Sequence, residues 1–545
     1  MAVDRILAAA NSPPVISIVT SNLGMTNPDQ PDPSGSTQPD RRAAAWWPIA
    51  WYPIALPVAF IVTVWSASAI HPVWLVWPIL VTTSFVAVLS LLLSLAIGDR
   101  HRGGVVAAAL TLALMLTHDI ARTGLFVLTL ALVGEGLLHR GRRWRNGLRI
   151  TRFMSVLAAT LLLVAAAGTL QQGSLQDAAA DVRADMNARH AEAFDPAHPD
   201  IYVVLLDGYP GDDAATLLPT FDGNAFPADL ESRGFDVMRH ARSNYLTTRL
   251  VIPTMLANQH VDAAPELKPP FGSQAADARR LREFGDNGIV LRSLRDAGYE
   301  TVSLTSPTAH LGMRRVDRVI DPPRPNEFDR ILLTGTAVGP FLDVMASDLF
   351  AALARDQLLM TYASAESLAA EPHDRPRFCW IHILAPHAPL LFHSDGTPMA
   401  NARGLQTIVR DRSNTDERTA LMTDTFEYAE WVANRTDLML DRMLASAKRE
   451  SVIVIFSDHG TDIDFDASNP LGSDVNERTS IILAVRTPGH PDLLPPGTTP
   501  IGVLPRILNA YLGTSLPIRS DTIWGWPRNG SLLDAVPIDP SSFDR

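Results

Sequence analysis

The sequence predicts an α/β domain, built on a parallel sheet with helices on both faces, that follows a bundle of membrane-spanning helices. Long apolar runs dominate residues 43–172, whereas the composition after residue 199 is that of a soluble globular domain. In the second part, helix-like stretches ending in glycine alternate with short β-branched runs. Two of these runs, 201–206 and 451–456, are apolar on both faces, which is typical of strands in a parallel sheet.

Changes in composition set the predicted domain boundaries. Residues 1–42 are rich in Pro, Ser and Asp and have too little apolar surface to offset the entropy of ordering, which predicts a disordered cytoplasmic tail. Residues 43–172 form the predicted transmembrane region, 173–198 a linker, and 199–545 the extracytoplasmic domain. The net charge of -12 provides no basic surface, so nucleic acid is not an expected partner.

Apolar stretches predict about five membrane helices. They lie at 46–70, 73–97, 105–120, 124–139 and 153–170. The first two reach the roughly 20 residues that a bilayer requires, whereas the middle pair is short and could form one hairpin or a re-entrant segment. The bundle is either a plain anchor or also shapes a lipid-substrate site, and the sequence leaves both possibilities open.

The charges of the loops predict the orientation of the bundle. Arg41 and Arg42 precede the first stretch, and further basic loops lie at 98–104 and 139–152. The positive-inside bias then places the N-terminus in the cytoplasm and the soluble domain outside the cytoplasmic membrane. No cleavable signal peptide is apparent, because the first apolar stretch starts late and is too long for one.

Local signals locate helices in the soluble domain. Gly234 and Gly298 are expected to follow helix ends, and a helix around 418–448 is expected to feed into the strand at 451–456. Cys379 is the only cysteine, which excludes an intramolecular disulfide. It lies in an apolar run, where a small buried side chain is expected.

Carboxylates directly follow two predicted strands. Asp207 follows the first, and Asp458 and His459 follow the second. Parallel sheets bind ligands beyond the carboxyl ends of their strands, so these side chains are expected to meet at one edge. Two carboxylates and an imidazole suit one divalent cation, with Mn²⁺ or Zn²⁺ favoured and Ca²⁺ or Mg²⁺ possible. Taken singly, an Asp-Gly pair after a strand is also a common turn.

Four segments, taken in order, resemble the alkaline phosphatase superfamily. They are "IYVVLLDGY", "SNYLTTRLVIPTML", "HILAPHAP" and "IFSDHG". The layout is most similar to the membrane-anchored branch with phosphoethanolamine and phosphoglycerol transferases, to which sulfatases are related. The resemblance covers roughly residues 199–525 in motif order, and the membrane region in layout only. It implies an alkaline-phosphatase-like sandwich domain that holds one metal ion.

The resemblance also implies a nucleophile and a ligand set. In that superfamily a nucleophilic residue stands about 40 residues after the first metal aspartate, and Thr248 lies 41 residues after Asp207. Thr247 is the alternative, and a threonine before an apolar helix is also a common N-cap. Asp207, Asp458, His459 and the Thr248 hydroxyl would hold the metal.

Three further residues are candidates for contacts with the substrate. His387, between two prolines, would contact the substrate phosphate or protonate the leaving group. His382 lies within an apolar run and is either a substrate contact or a buried core histidine. Arg249, beside the nucleophile, would steady a phosphoryl oxygen or is simply an exposed helix arginine.

The chain departs from the family pattern in two places. Formylglycine sulfatases need Cys or Ser where this chain has threonine, which argues against that chemistry. The transferases also have a histidine about a dozen residues after Asp-His-Gly, and this chain has none there. His393 and His490 are the nearest substitutes, at the wrong spacing, and Asp462 and Asp464 are either extra ligands or part of a solvated loop.

The expected function is that of a membrane-anchored, metal-dependent phosphotransferase with a threonine nucleophile. Its expected partners are the lipid bilayer, a membrane-lipid donor and a cell-envelope glycan acceptor, as the resemblance implies. The alternatives are a sulfatase-like or phosphatase hydrolase of the same superfamily, or a non-catalytic envelope protein that retains the fold. The sequence does not determine the acceptor or the oligomeric state.

Overall fold

The structure is a computed structural model that describes most of the chain from residue 51 onward. The described residues are 51–66, 72–115, 119–139, 144–167, 194–213, 221–267, 274–308, 311–334, 336, 339, 347–400, 415–528 and 530–539. The predicted tail and most of the predicted linker therefore lie outside the described residues.

Apolar helices occupy the described part of the predicted membrane region. They are α1 (Tyr52–Ser66), α2 (Val76–Ile97), α3 (Arg100–Met115), α4 (Asp119–Leu138) and α5 (Gly147–Ala167). Among the described residues, α2 and α5 are long and apolar enough to cross a membrane, whereas α1 and the apolar part of α4 are shorter. These two helices support a membrane region, while the number of spans and their orientation remain predictions.

The soluble domain is built around one mixed sheet. Its strands are β1 (Asp200–Leu206), β2 (Asp236–Val237), β3 (Glu300–Leu304), β4 (Arg318–Ile320), β5 (Arg377–Ile383), β6 (Ser451–Phe456) and β7 (Leu483–Arg486). Within the described residues the spatial order is β2, β7, β6, β1, β5, β3, β4, and β8 (Trp524–Gly525) pairs separately with β9 (Val536–Pro537). Strands β6, β1, β5, β3 and β4 are parallel, whereas β7 is antiparallel to β6. The predicted α/β class is confirmed.

Strand β1 lies in the middle of the sheet, and all its residues are buried. Its side chains alternate between the two faces: Tyr202, Val204 and Leu206 pack in one core, and Ile201, Val203 and Leu205 in the other. Burial on both faces explains why the run is apolar without interruption. Each large apolar side chain contributes roughly 1.5–3 kcal/mol through this burial.

Helices cover the sheet. They are α6 (Ala225–Ser232), α7 (Thr248–Ala257), α8 (Gln274–Asp286), α9 (Ile289–Asp296), α10 (Glu327–Thr334), α11 (Ser347–Ala370), α12 (Thr415–Ser446), α13 (Val475–Thr479) and α14 (Pro500–Leu512). Gly234 and Gly298 lie just beyond α6 and α9, each with φ of 81°. At both helix ends the amide of the following residue donates back into the last turn, which closes the helix. The predicted helix ends are confirmed.

The domain built on this sheet contacts the N-terminal apolar helices at Trp74, in the short 3₁₀ turn Pro72–Leu75 before α2. Trp74 is only 4% exposed and shares an apolar cluster with Phe328 of α10. The guanidinium of Arg314 lies 5.4 Å from the centre of the Trp74 ring, and Nη2 of Arg324 donates to the Trp74 carbonyl at 3.3 Å. The domain is thus packed against the start of α2.

Candidate functional site

Asp207 is the residue immediately after β1, and it is 1% exposed. Its N–H donates to the Ile383 carbonyl at 3.0 Å, and its carbonyl accepts the N–H of His387 at 2.9 Å. These bonds fix the Asp207 backbone against the end of β5 and the loop that follows. The segment that carries Asp207 therefore lies next to the segment that carries His387.

Gly208 allows the chain to turn sharply after Asp207. Its φ is 73°, and a Cβ at this position would lie 3.4 Å from Cε1 of His459. Its N–H donates to Oδ1 of Asp458 at 3.2 Å. A side chain would fit against the imidazole at this distance, but the left-handed backbone would strain it, so the turn favours glycine.

Asp207, Asp458 and His459 meet at the carboxyl ends of β1 and β6. The two strands are parallel, with Leu205 opposite Phe456, so the residues two positions later also lie side by side. One ligand atom from each of the three residues lies within 4.8 Å of the other two. Nε2 of His459 is 3.3 Å from Oδ2 of Asp458 and 3.6 Å from Oδ1 of Asp207.

The donor atoms of this group are suited to a divalent cation. Nδ1 of His459 donates to the Gly460 carbonyl at 2.8 Å, which leaves the Nε2 lone pair directed at the carboxylates. Within the part of the chain that the structure describes, Oδ1 of Asp207 and Oδ2 of Asp458 are buried and have no hydrogen-bond partner. Buried carboxylate oxygens without partners are costly, and a shared cation removes that cost. The residues fit Mn²⁺ or Zn²⁺, and the ligand types do not select between them.

Thr248 adds a hydroxyl to the same centre. It is the first residue of α7 and is 6% exposed, with Oγ1 3.4 Å from Nε2 of His459. Thr247 is the residue that caps α7, in extended backbone conformation, and its side chain makes no capping hydrogen bond. Of the two threonines, Thr248 is therefore the one whose hydroxyl lies beside the carboxylate and imidazole group.

His382 supports Asp207 from within the sheet. It lies on β5, directly opposite Leu205 of β1, and is 1% exposed. Its Nε2 is 2.9 Å from Oδ2 of Asp207, the oxygen that does not face His459. His382 is therefore buried, and its Nε2 contacts the Asp207 carboxylate, while a contact with the substrate stays a prediction.

His387 lies in the loop after β5, at the open side of the site. It is partly exposed, its Nδ1 donates to the Ala388 carbonyl at 2.9 Å, and its ring centre is 6.4 Å from that of His459. Burial by itself lowers the pKa of His387, but the negative charges of Asp207 and Asp462 outweigh it and raise the pKa above its ordinary value. A raised pKa favours the protonated imidazolium, which is the form that can donate a proton.

The groups around Asp207 and His459 favour the protonation states in which these two residues bind a metal ion. Burial raises the pKa of the Asp207 carboxyl, but the charge of His387 and the hydrogen bond from His382 outweigh it and hold the pKa well below its usual range. Burial, together with the charge of Arg478, lowers the pKa of His459. An ionised carboxylate and a neutral imidazole are the forms that bind a cation.

Other candidate residues lie outside this group. Arg249 is exposed on α7 and borders a cleft with Ile252 and Leu256. Asp464 forms an ion pair with Arg418. Asp462 is exposed, His393 pairs with Glu427, and His490 packs on the ring of Tyr511. The four residues Asp462, Asp464, His393 and His490 are absent from the candidate metal groups found among the described residues.

Comparisons with solved structures return matches at low identity and low TM-score. A 2-O GAG sulfatase has a TM-score of 0.38 and 15% identity, covering 59% of this chain and 72% of its own. The periplasmic domain of EptC from Escherichia coli has a TM-score of 0.38 and 12% identity, covering 63% and 93%, and has also been solved in complex with Zn. Phosphonate monoester hydrolase of Agrobacterium radiobacter has a TM-score of 0.38 and 13% identity, covering 58% and 74%.

The soluble domain of the lipooligosaccharide phosphoethanolamine transferase A of Neisseria meningitidis has a TM-score of 0.31 and 16% identity, covering 55% of this chain and 80% of that chain. No known protein family matches the chain by sequence, and no curated protein does either. At such identities and TM-scores the likeness assigns no activity to the chain. The chemistry of the site therefore rests on its own residues.

Two charged residues beside the site, Glu477 and Arg478, were not predicted from the sequence. Both lie on α13 and are buried, with 6% and 8% exposure. Charged residues of these types are rarely this buried unless they are paired. In the sequence, Glu477 and Arg478 lie between a polar loop and the apolar run of β7. That position does not indicate which groups they contact.

Proposed function

We propose that this chain is a metal-dependent enzyme that transfers a phosphoryl-type group through Thr248. The observation that carries the proposal is the 3.4 Å separation between Oγ1 of Thr248 and Nε2 of His459, beside the unpartnered oxygens of Asp207 and Asp458. Asp207, Asp458, His459 and Thr248 would hold the cation. When bound, it would supply Lewis-acid stabilisation of the negative charge on the transferred group and lower the pKa of the threonine hydroxyl.

The residues of the chain supply the remaining steps. Oγ1 of Thr248 forms a bond to phosphorus while the ester oxygen on the opposite side departs, and the hydroxyl proton leaves to solvent. His387, as the imidazolium, donates a proton to the departing oxygen. The product is a phosphothreonine ester. A second hydroxyl, from water or from an acceptor sugar, then displaces Thr248 and completes the transfer.

The position of Thr248 at the start of α7 also suits a phosphoryl group. The first amides of a helix have no intrahelical acceptor, and they carry the positive end of the helix dipole. Thr248 opens this ten-residue helix, and its hydroxyl is buried beside the ligand group. Negative charge on the transferred group would therefore be stabilised by backbone amides as well.

The proposed donor is a membrane lipid, of the phosphoglycerol or phosphoethanolamine type, and the proposed acceptor is a cell-envelope glycan. Two observations support a donor in the bilayer: α2 and α5 have the length and composition of membrane spans, and the soluble domain packs against the start of α2 through Trp74. The basic loops support an orientation with the N-terminus in the cytoplasm and the soluble domain outside.

The test uses the full-length protein in detergent with added Mn²⁺ or Zn²⁺. An aryl phosphate, an aryl sulfate and a labelled phospholipid are supplied in parallel, and the protein is analysed for modified threonine by mass spectrometry. We expect turnover of the phosphate esters and labelling at Thr248, with both lost in Thr248→Ala. The matched control Thr247→Ala, which alters the adjacent hydroxyl, should stay within a few-fold of the wild type.

Full turnover by Thr248→Ala would remove Thr248 from the mechanism. Turnover of aryl sulfate alone would contradict the proposed transferase and indicate a sulfatase-like hydrolase. Transfer of the phospholipid label to water alone would indicate a phosphatase.

A further inference from the structure

We propose that Arg478 is a positioning residue that locks the loop of the nucleophile onto the loop of the cation ligands, while Glu477 fixes the ligand loop from its other side. We call this pair the α13 clamp. The inference rests on the proposed function, because it names what sets the geometry of the same site. As a positioning pair, the clamp acts through the backbone on either side of Thr248 and His459.

Arg478 connects two chain segments that are far apart in sequence. Its Nε donates to the carbonyl of Leu246 at 2.9 Å, two residues before Thr248. Its Nη1 donates to the carbonyls of Gly460 at 3.3 Å and Thr461 at 3.4 Å, directly after His459. A guanidinium is planar and rigid, so bonds from different nitrogens fix the separation of the groups that accept them.

The guanidinium is itself held in place. It lies over the ring of Phe465, with 4.4 Å between its central carbon and the ring centre. This face-on contact restricts rotation of the side chain and compensates in part for its removal from water. Arg478 therefore presents its donors in a fixed orientation before any substrate arrives.

Glu477 holds the amide side of the ligand loop. One carboxyl oxygen accepts a hydrogen bond from the Thr461 hydroxyl. The same oxygen accepts the N–H of Ile463 at 2.8 Å, and the other oxygen accepts the N–H of Asp464 at 2.9 Å. Three donors thus converge on one carboxyl group, which restrains the loop at three successive places. The loop at 460–464 is thus bound on its carbonyls by Arg478 and on its amides by Glu477.

Gly460 brings the ligand loop into backbone contact with α13. Its N–H donates to the carbonyl of Arg478 at 2.8 Å, and a Cβ at this position would lie 2.2 Å from the Glu477 carbonyl oxygen. The helix is also capped: the carboxylate of Asp474 accepts the N–H of Glu477 at 3.0 Å. The contact is therefore close and directional, as a positioning role requires.

Charge alone is the competing explanation for Arg478, because a buried cation beside the carboxylates of Asp207 and Asp458 would balance them in the absence of metal. Replacing Arg478 by lysine distinguishes a positioning role from a role in charge balance. Lysine keeps the charge but has one compact ammonium that cannot span the carbonyls of both loops. A displacement of about 1 Å between nucleophile and metal loops can cost on the order of 100-fold in rate.

The test compares Arg478→Lys with the wild type, as full-length protein in detergent. The clamp predicts that kcat falls by about 10-fold or more while KM changes little, because the substrate still binds but meets a displaced nucleophile. Retention of wild-type kcat by Arg478→Lys would overturn the clamp in favour of charge alone. The matched control is Arg295→Lys in α9, another buried arginine that donates to a carbonyl, that of Arg315.

Arg295→Lys should lower the melting temperature without changing kcat. A proportional fall of kcat and melting temperature in both arginine variants would indicate a merely structural role and would also overturn the clamp.

Two readouts need no turnover, so they separate failure of the clamp from failure of the proposed function. The first is amide hydrogen exchange at Ile463 and Asp464, and the second is titration with Mn²⁺ alone. In both Arg478→Lys and Glu477→Gln, these two amides should exchange faster than in the wild type. Both variants should also bind Mn²⁺ about 10-fold more weakly, which is the effect of losing groups that support metal ligands. Glu477→Gln covers the case in which Arg478→Lys fails to fold. Unchanged exchange and affinity in the folded variants would contradict the clamp even if Thr248 proves to be the nucleophile.

Discussion

Nε2 of His382 lies 2.9 Å from Oδ2 of Asp207, while Oδ1 of the same carboxylate lies 3.6 Å from Nε2 of His459. One oxygen of Asp207 is therefore held by the sheet and the other is directed at the candidate cation centre. A second buried pair lies at the other end of β1, where Nε2 of His373 is 2.9 Å from Oδ2 of Asp200. An aspartate at each end of β1 thus pairs with a histidine from another part of the chain, and the pair formed by Asp207 and His382 adjoins the site.

Replacing His382 should weaken metal binding more than it weakens the fold. In His382→Ala the Asp207 carboxylate loses the group that orients it, and we expect a 10- to 100-fold loss of Mn²⁺ affinity or activity, which is about the usual effect of removing such a support. Isothermal titration with Mn²⁺ measures the affinity directly. The matched control is His373→Ala, which should lower the melting temperature and leave the affinity for Mn²⁺ unchanged.

Equal losses of Mn²⁺ affinity in the two histidine variants would show that the effect is general destabilisation. Unchanged affinity in His382→Ala would show that the hydrogen bond to Oδ2 does not orient Asp207.

Divalent metal should stabilise the folded protein, and removal of Asp458 should abolish that effect. A ligand that binds only the folded state stabilises it by about 2.7 kcal/mol when its concentration is 100 times Kd. We expect the melting temperature to rise when EDTA is replaced by Mn²⁺ in the wild type, but not in Asp458→Asn. Thermal unfolding in detergent, with a scan at each metal concentration, provides the measurement.

The control for this effect is Asp213→Asn. Asp212, Asp213 and His240 form a second group of possible ligands, but Nη2 of Arg242 lies 2.8 Å from Oδ2 of Asp213 and already balances its charge. This variant should keep the full response to Mn²⁺. A response that survives in Asp458→Asn and disappears in Asp213→Asn would move the metal site to the second group.

Much of the site could be predicted from local patterns. The runs at 201–206 and 451–456 are apolar because β1 and β6 are buried on both faces, and parallel strands end at one edge of a sheet. Asp207 and Asp458 could therefore be placed together before their register was known. Gly234 and Gly298 were equally clear, because a helix that ends in a left-handed residue favours glycine.

Other features depend on contacts that leave no pattern along the chain. The short run of β7 reads the same whether the strand is parallel or antiparallel to β6, so its direction was not predicted. His382 looked like either a ligand or a core residue, because its hydrogen bond crosses from β5 to the end of β1. Arg478 binds backbone carbonyls, and every residue offers one, so no spacing in the sequence could identify its partners.

The contact at Trp74 should hold the soluble domain against the start of α2. Phe328 is fully buried in the same cluster as Trp74, and truncating a buried phenylalanine typically costs about 3–5 kcal/mol. In Phe328→Ala we expect faster hydrogen exchange in α10 with unchanged affinity for Mn²⁺. Ile331→Ala is the control on the same helix, since Ile331 is 39% exposed. Equal exchange in the two variants would show that Phe328 does not secure this contact.

The protein should lose stability as pH rises towards neutrality because of Asp437, on α12. Its burial and the nearby carboxylates of Asp229 and Asp441 outweigh Arg233, whose Nη1 lies 3.2 Å away, and raise its pKa from 3.8 to about 7. Between these two values the folded protein retains a proton that the unfolded chain has released. The contribution of protonated Asp437 to the free energy of unfolding is therefore present at low pH and is lost as pH rises through about 7.

Asp437→Asn removes this titration, so the difference in unfolding free energy between about pH 5 and pH 8 should shrink in the variant. The opposite sign is expected for Asp441, because the hydrogen bond from Arg233 lowers the pKa of Asp441 and its contribution is present only when it is ionised. Asp441→Asn should thus cost stability at pH 8, and the cost should decrease as pH falls below the ordinary pKa of 3.8. Denaturant unfolding at several pH values measures both effects, and an unaltered pH profile in Asp437→Asn would show that Asp437 ionises in the folded protein near its ordinary pKa.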